Sequence, residues 1–401
     1  MGEQWTFSSA GQVVFGMRAV ERVGRLALWL GMRRPLIVSD RILVGLGIVD
    51  SVRGVLADTG LPASVYDGGE PEPSTDTVYR CVEAARAGDH DSLIAVGGGS
   101  NIDTAKAAAV ILSHGGSLPD YYGTNRVPGP VLPLIAVPTT AGTGSEVTAG
   151  AVIADEAQGL KMALFSPHLR PRAAICDPLL TLTCPPKVTA DSGMDALTHA
   201  IEAYTCLDHR SLPKEDDPFP AYPGANPLSA SLSLQAIGLI GQSLRQAVYQ
   251  PQNLQAREMM HLAALLAGLA FSNGGLTITH ALQYALAARV HNSHGEGNGL
   301  LLPYVMEYNI PACPEAFAEI ARRLGERVDR LSPLEAAERS VQAVQRLKAD
   351  IGIPMRLRDI GISEADIPDM ARVAAGMRRL VVLNPRPVSA SQMESLLRAA
   401  Y

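Results

Sequence analysis

The chain has 401 residues, 47% hydrophobic and 18% charged, with a formal net charge of −6. That length predicts two domains, and the composition fits a well-packed globular protein rather than a disordered one. Lys and Arg number 34 against 40 Asp and Glu, with no basic patch, so no nucleic-acid partner is expected. The five cysteines, Cys81, Cys176, Cys184, Cys206 and Cys313, are odd in number, widely spaced and without a C-x-x-C pair. They predict free thiols in a reducing compartment, hence the cytoplasm. The first residues lack the basic start and long apolar run of a signal peptide. The longest apolar stretch, Leu262 to Phe271, is too short to span a bilayer and reads as a buried helix, so no membrane partner is expected.

In chain order, Pro35 to Asp40 reads as a strand ending in a carboxylate. Asp91 to Val96 is a second strand, followed at once by Gly97-Gly98-Gly99-Ser100 and a helix from near Ile102. Val131 to Val137 is a third, followed by the loop from Pro138 to Ser145. Strand, turn and helix in repetition predict a parallel sheet with helices on its faces. After about Pro185 strand signals fade and Ala- and Leu-rich helical patterns run to the end. The expected organisation is an α/β dinucleotide-binding domain over 1–185 and an all-helical domain over 186–401. The Pro-rich, acidic stretch from Leu207 to Pro227 predicts a surface excursion.

Glycines let a backbone approach a ligand closely, and a helix N-terminus offers free N–H groups to an anion. A pyrophosphate therefore fits the turn at 97–100, although this is not the G-x-G-x-x-G fingerprint and a simple tight turn would read the same. The second loop has the same placement and crowds four hydroxyls, Thr139, Thr140, Thr143 and Ser145, with Gly142 and Gly144. Asp40 at a strand end can accept from ribose hydroxyls and repel a 2′-phosphate, which favours NAD over NADP; equally, it can cap a helix.

Asp195 and His199 stand four apart in a small-residue and apolar helical pattern, so they share one buried face. A shared cation is one reason for a buried carboxylate and imidazole; an i,i+4 ion pair is another. His280 lies in an apolar helix and His294 in a turn before Gly295. Added to Asp195 and His199 they give three nitrogens and one oxygen, a set suited to Fe²⁺ or Zn²⁺ with a position open to a substrate oxygen. By chemistry and spacing, His261 and His291 compete for the same role.

With these residues in view, the chain resembles the iron-containing (group III) alcohol dehydrogenases. The resemblance rests on VVFG at 13–16, LIVSD at 36–40, GGGSNIDTAK at 97–106, PTTAGTGSEVT at 138–148 and DALTHAIEAY at 195–204, then on the His280 to His294 segment, LLLPYVMEYN at 300–309 and NPR at 384–386. It implies a Rossmann-like N-terminal domain joined to an all-α C-terminal domain, the dehydroquinate synthase-like architecture, in a homodimer or higher oligomer. It assigns the metal to Asp195, His199, His280 and His294, and cofactor contacts to Asp40, Gly97, Gly98, Gly99, Ser100, Asp103, Thr139, Thr140, Thr143 and Lys161, the last on the nicotinamide ribose. Two positions depart from the family pattern. Tyr284 stands where a second histidine often serves a proton relay, so Tyr284 or His291 is expected to carry the proton. Glu72 stands between Pro71 and Pro73 where Asn is usual.

The expected function is NAD(H)-linked oxidation of small alcohols or reduction of aldehydes, a metal polarising the substrate oxygen. The stretch YPGANPLS at 222–229 resembles a branch that includes hydroxyacid–oxoacid transhydrogenases, which is the alternative. A metal-dependent hydrolase and a non-catalytic nucleotide-binding protein rank below both.

Overall fold

The β-branched runs leading to Asp40, Gly97 and Pro138 lie side by side at the middle of one sheet. The computed structural model describes residues 4–157, 160–212, 219–290 and 292–401. Its chain falls into two compact units, one comprising Ser9–Cys184 and the other built on the helix Pro186–Thr205 and on Tyr222–Tyr401.

The strands of the first unit are β1 (Val13–Phe15), β2 (Pro35–Val38), β3 (Ser64–Tyr66), β4 (Ser92–Gly97), β5 (Gly123–Thr124), β6 (Leu134–Pro138), β7 (Gly150–Asp155), β8 (Leu160–Phe165) and β9 (Ala173–Cys176). Six of them form a sheet of order β1-β9-β6-β4-β2-β3, parallel throughout. The central strands β2, β4 and β6 are buried at every position, and apolar but for Ser92, because both faces are covered. Leu36, Val38, Leu93, Ala95, Leu134 and Ala136 pack with Val78, Val82, Ile102 and Val110, from the helices Thr75–Ala87 and Gly99–His114. Their alternates Ile37, Ile94, Val96, Ile135 and Val137 pack on the other face with Val23, Ala27, Val52 and Leu56, from Val23–Trp29 and Ile48–Asp58. The chain passes from β2 outward to β3 and then returns to β4 on the other side of β2. Strand order therefore reverses between β2 and β4, which is where open α/β sheets bind ligands at their carboxyl ends.

Details differ from the sequence reading, beginning with the third strand, which starts at Leu134 rather than Val131. The helix after the glycine turn starts at Gly99, with Gly98 at its N-cap, rather than near Ile102, because the glycines themselves enter the first turn. A separate three-stranded sheet, β5-β8-β7, contains an antiparallel β7–β8 pair that the reading missed. In β7 even the half-buried positions are Gly, Val and Ala, so no polar alternation marks it as a strand.

The second unit is helical among its described residues, apart from an isolated bridge between Asp208 and Ala225. Its helix starts are written in the sequence: Asn226 caps Pro227–Tyr249, Ser332 and Glu335 form a capping box for Pro333–Asp350, and Ser389 and Gln392 another for Ala390–Ala400. The apolar run 262–271 lies inside the buried helix Leu254–Ser272. Among the described residues no helix is long and apolar enough to cross a membrane. All five cysteines are free thiols. Of the acidic excursion, residues 213–218 lie outside the described residues.

Candidate metal centre and nucleotide loops

Helix Pro186–Thr205 begins with proline at its first position, where the missing N–H costs nothing, and buries most of its length. Asp195 and His199 lie on one face of it, as their spacing requires. Helix Ile278–Ala287 brings in His280. His294, read from sequence as a turn residue, is instead the first residue of helix His294–Asn309, whose cap Ser293 accepts from the Glu296 N–H at 3.1 Å. Asp195, His199, His280 and His294 each offer one ligand-type atom, and these atoms lie within 4.8 Å of one another. Asp195 Oδ1 is 3.7 Å from His199 Nε2 and 3.8 Å from His294 Nε2. His261 is not in this group; it is buried on Leu254–Ser272, where burial pushes its imidazole down to about 4. His291 lies outside the described residues.

Aromatic packing holds the rings. The His199 ring stacks between Phe271, at 4.4 Å, and His280, at 4.9 Å, while His280 and His294 are 5.2 Å apart. Tyr284 lies against the cluster, with ring centroids 5.5 Å from His294 and 6.4 Å from His280.

Two residues of the cluster escaped sequence reasoning. Glu202, buried three residues after His199, accepts from the Thr277 hydroxyl at 2.6 Å and the Thr279 N–H at 2.8 Å, and pairs with His280 Nδ1 at 2.6 Å. Nδ1 is thereby the donor, which leaves His280 Nε2 as a lone pair facing the cluster. The signal was present: a carboxylate seven residues after Asp195 lies on the same helical face. Asn298, four residues after His294, places Nδ2 at 2.8 Å from Asp195 Oδ1, 3.1 Å from His280 Nε2 and 3.2 Å from His294 Nε2.

That last geometry tests whether the residues suit a cation. Asp195 Oδ1 and His280 Nε2, both acceptors, already use the two hydrogens of this one amide nitrogen, and His294 Nε2 faces the same point. Ligand-type atoms thus crowd one point with few donors, and a cation is what such a point attracts. The 4.8 Å span is little wider than two metal–ligand bonds end to end, about 4.2 Å. Burial alone would push the Asp195 carboxyl up, but the neighbouring imidazoles of His199, His294 and His280 and the Asn298 amide hold it below the ordinary carboxylate range. For Glu202, burial is likewise outweighed by His280 and Thr277, which hold it at about 2. Three imidazoles and a carboxylate fit Fe²⁺ or Zn²⁺ equally.

In the first unit the two predicted loops touch. Gly97 ends β4 at φ +152°, Gly97 pairs in register with Pro138, and the Thr139 N–H donates to the Gly97 carbonyl at 3.1 Å. A Cβ on Gly99 would fall 2.8 Å from Thr143 Cγ2, and one on Gly97 2.1 Å from Asn101 Nδ2. Only glycine lets these segments close, leaving Ser100 and the first N–H groups of a 16-residue helix at the strand end. Asp40 is a helix N-cap: Oδ1 accepts from the Ile42 and Leu43 N–H groups at 2.9 and 3.0 Å. Its Oδ2 accepts from Asn101 Nδ2 at 2.7 Å, tying the β2 end to the β4 turn across the switch point. Asp103 accepts from the Ser145 hydroxyl at 2.6 Å and the Val152 N–H at 2.9 Å. Buried Lys106, unremarked in the sequence, bonds the same loop at Ser145 and the start of β7 at the Gly150 carbonyl, and burial pushes it down to about 8. Lys161, on β8, pairs with Glu72 at 2.6 Å.

The chain matches the family model for iron-containing alcohol dehydrogenase over residues 10–178 and the C-terminal model of that family over 220–401. It is 40% identical to 1,3-propanediol dehydrogenase of Citrobacter freundii over 389 residues, 96% of each chain. It is 37% identical to the NAD-dependent methanol dehydrogenase of Bacillus methanolicus, covering 90% of this chain and 91% of that one. The solved alcohol dehydrogenase of Oenococcus oeni superposes with a TM-score of 0.93 at 38% identity, covering 99% of this chain and 100% of that one. The fold is thus the dehydroquinate synthase-like one, a Rossmann-like α/β unit followed by an all-helical unit. The chain belongs to the iron-containing alcohol dehydrogenase family and is an oxidoreductase acting on CH–OH groups.

Proposed function

We propose that the protein interconverts small alcohols and aldehydes with NAD(H), using one divalent ion held by Asp195, His199, His280 and His294. The observation that carries the metal assignment is the convergence of Asp195 Oδ1, His280 Nε2 and His294 Nε2 on the single amide nitrogen of Asn298. A divalent ion supplies Lewis acidity to the alcohol or carbonyl oxygen, and nicotinamide supplies the hydride chemistry. The rest falls to the chain. The Asp195 carboxylate offsets part of the cation's charge. Glu202 fixes the His280 tautomer, and Phe271 covers His199 against water. The Tyr284 hydroxyl, on a ring beside His294, donates or accepts the proton. In the other unit, the Gly97–Ser100 turn offers N–H groups to a pyrophosphate, Thr139, Thr140 and Thr143 add hydroxyls, and Asp103 holds their loop. Lys161 is assigned to the nicotinamide ribose. Asp40 keeps acceptor capacity for ribose hydroxyls at the switch point, and its charge opposes a 2′-phosphate. That supports NAD over NADP, as does the resemblance to a relative named as NAD-dependent.

The test is a panel of alcohols and aldehydes with NAD(H) and NADP(H) on iron- and zinc-loaded protein, followed by nicotinamide absorbance. Metal-dependent turnover with NAD(H) is expected. Silence across the panel overturns the function, and a preference for NADP(H) overturns the role given to Asp40.

A further inference from the structure

Helix Pro186–Thr205 does more than supply two ligands. Asp191, Asp195, His199 and Glu202 are spaced by four, four and three, so at about 100° per residue they fall within about 80° of arc. The middle two are the proposed ligands. The outer two reach the ligands that come from elsewhere in the chain. Glu202 pairs with His280 Nδ1 at 2.6 Å and, through Thr277 and Thr279, holds the first turn of the helix that carries His280. Asp191 accepts from the Ser293 hydroxyl at 2.6 Å, one residue before His294, and from Lys187 Nζ at 2.6 and 2.8 Å. Lys187 also pairs with Glu296, two residues beyond His294. Both carboxylates are buried, 6% and 2% exposed, so neither is a loosely solvated partner.

We propose that Asp191 and Glu202 are positioning residues of the metal centre, holding His294 and His280 respectively onto the helix that supplies Asp195 and His199. This rests on the metal assignment proposed above and deepens it. An imidazole that donates from Nδ1 to a carboxylate keeps one tautomer and one ring orientation and is a stronger base at Nε2; losing such a partner commonly weakens metal affinity roughly 10–100-fold. Ser293 acts differently, through the backbone, since its hydroxyl both caps the His294 helix and binds Asp191.

The test is Zn²⁺ affinity of the full chain, by competition with a chromophoric chelator, for Glu202→Gln, His280→Ala and the double variant, and for Asp191→Asn, His294→Ala and their double. Circular dichroism checks each fold. Glu202→Gln is expected to bind Zn²⁺ roughly 10–100-fold more weakly than wild type. Its effect should vanish in the His280→Ala background, because a carboxylate acting through that ring has nothing left to act on. Asp191→Asn should couple to His294→Ala in the same way. Wild-type affinity in Glu202→Gln, or losses that simply add in the double variants, overturns the inference. If Glu202→Gln does not fold, the Asp191 cycle decides alone by the same criterion. Wild-type affinity in His280→Ala overturns instead the metal assignment on which the inference rests.

Discussion

Gly295 lies at the closest backbone approach in the candidate metal centre. A Cβ there would sit 2.0 Å from the Asp191 carbonyl oxygen, 2.6 Å from its carbon and 3.1 Å from Asp195 Cβ. Real Cβ atoms stay beyond 3.0 Å, and the obstacle is helix backbone, which cannot rotate away. Gly295→Ala must therefore move the start of the His294 helix about 1 Å from the helix bearing Asp195 and His199. Overpacking of this kind costs about 1–3 kcal/mol, or roughly 2–12 °C in melting temperature for a unit of this size. A 1 Å displacement of a catalytic group costs about 100-fold in rate, so kcat should fall much further than stability. The assays are thermal unfolding, Zn²⁺ titration and initial rates. Gly54→Ala is the control: it lies on the helix Ile48–Asp58 with open space around it and should gain about 0.5–1 kcal/mol. A Gly295→Ala variant with wild-type melting temperature, metal affinity and rate would refute the packing argument.

Glu72, at φ +54° between two prolines, occupies the left-handed region that Asn tolerates far better. Glu72→Asn should relieve about 1 kcal/mol of strain against an ion pair to half-buried Lys161 worth less than that, giving a small net gain in urea unfolding; a loss above about 1 kcal/mol would show that the pair prevails. Burial pushes Glu146 up to about 7, so between its ordinary value of 4.5 and 7 the folded state keeps a proton that the unfolded state has released. Wild-type stability should fall as pH rises through that window, by up to about 3 kcal/mol, and Glu146→Gln should abolish the fall. An equal difference between the two proteins at pH 5 and pH 8 contradicts the assigned burial.

The central strands were legible because both of their faces are buried, which leaves unbroken apolar runs ending in Asp40 and the glycine turn. The β7–β8 pair was not, since the half-buried side of β7, Gly150, Val152 and Ala154, carries no polar residue to mark an alternation. In the candidate centre, Asp195 and His199 could be read because a helix face is a local property. Choosing His280 and His294 over His261 and His291 took family resemblance, since which histidines converge depends on how separate helices pack. Glu202 and Asn298 were legible in principle, lying three and four residues after ligands on the same helices, but a polar residue among apolar neighbours does not say what it binds. Asp40 showed the reverse: the helix-capping reading, open in the sequence, describes what its Oδ1 does.

One cation at Asp195, His199, His280 and His294 is expected to be required for turnover. Metal content and alcohol-dependent NAD reduction, measured on the same sample during stepwise chelation and re-addition, test it most directly. The expected result is one divalent ion per chain, a rate that follows metal content in both directions, and neither metal nor rate in a folded His280→Ala variant. Full turnover with metal rigorously absent would contradict it.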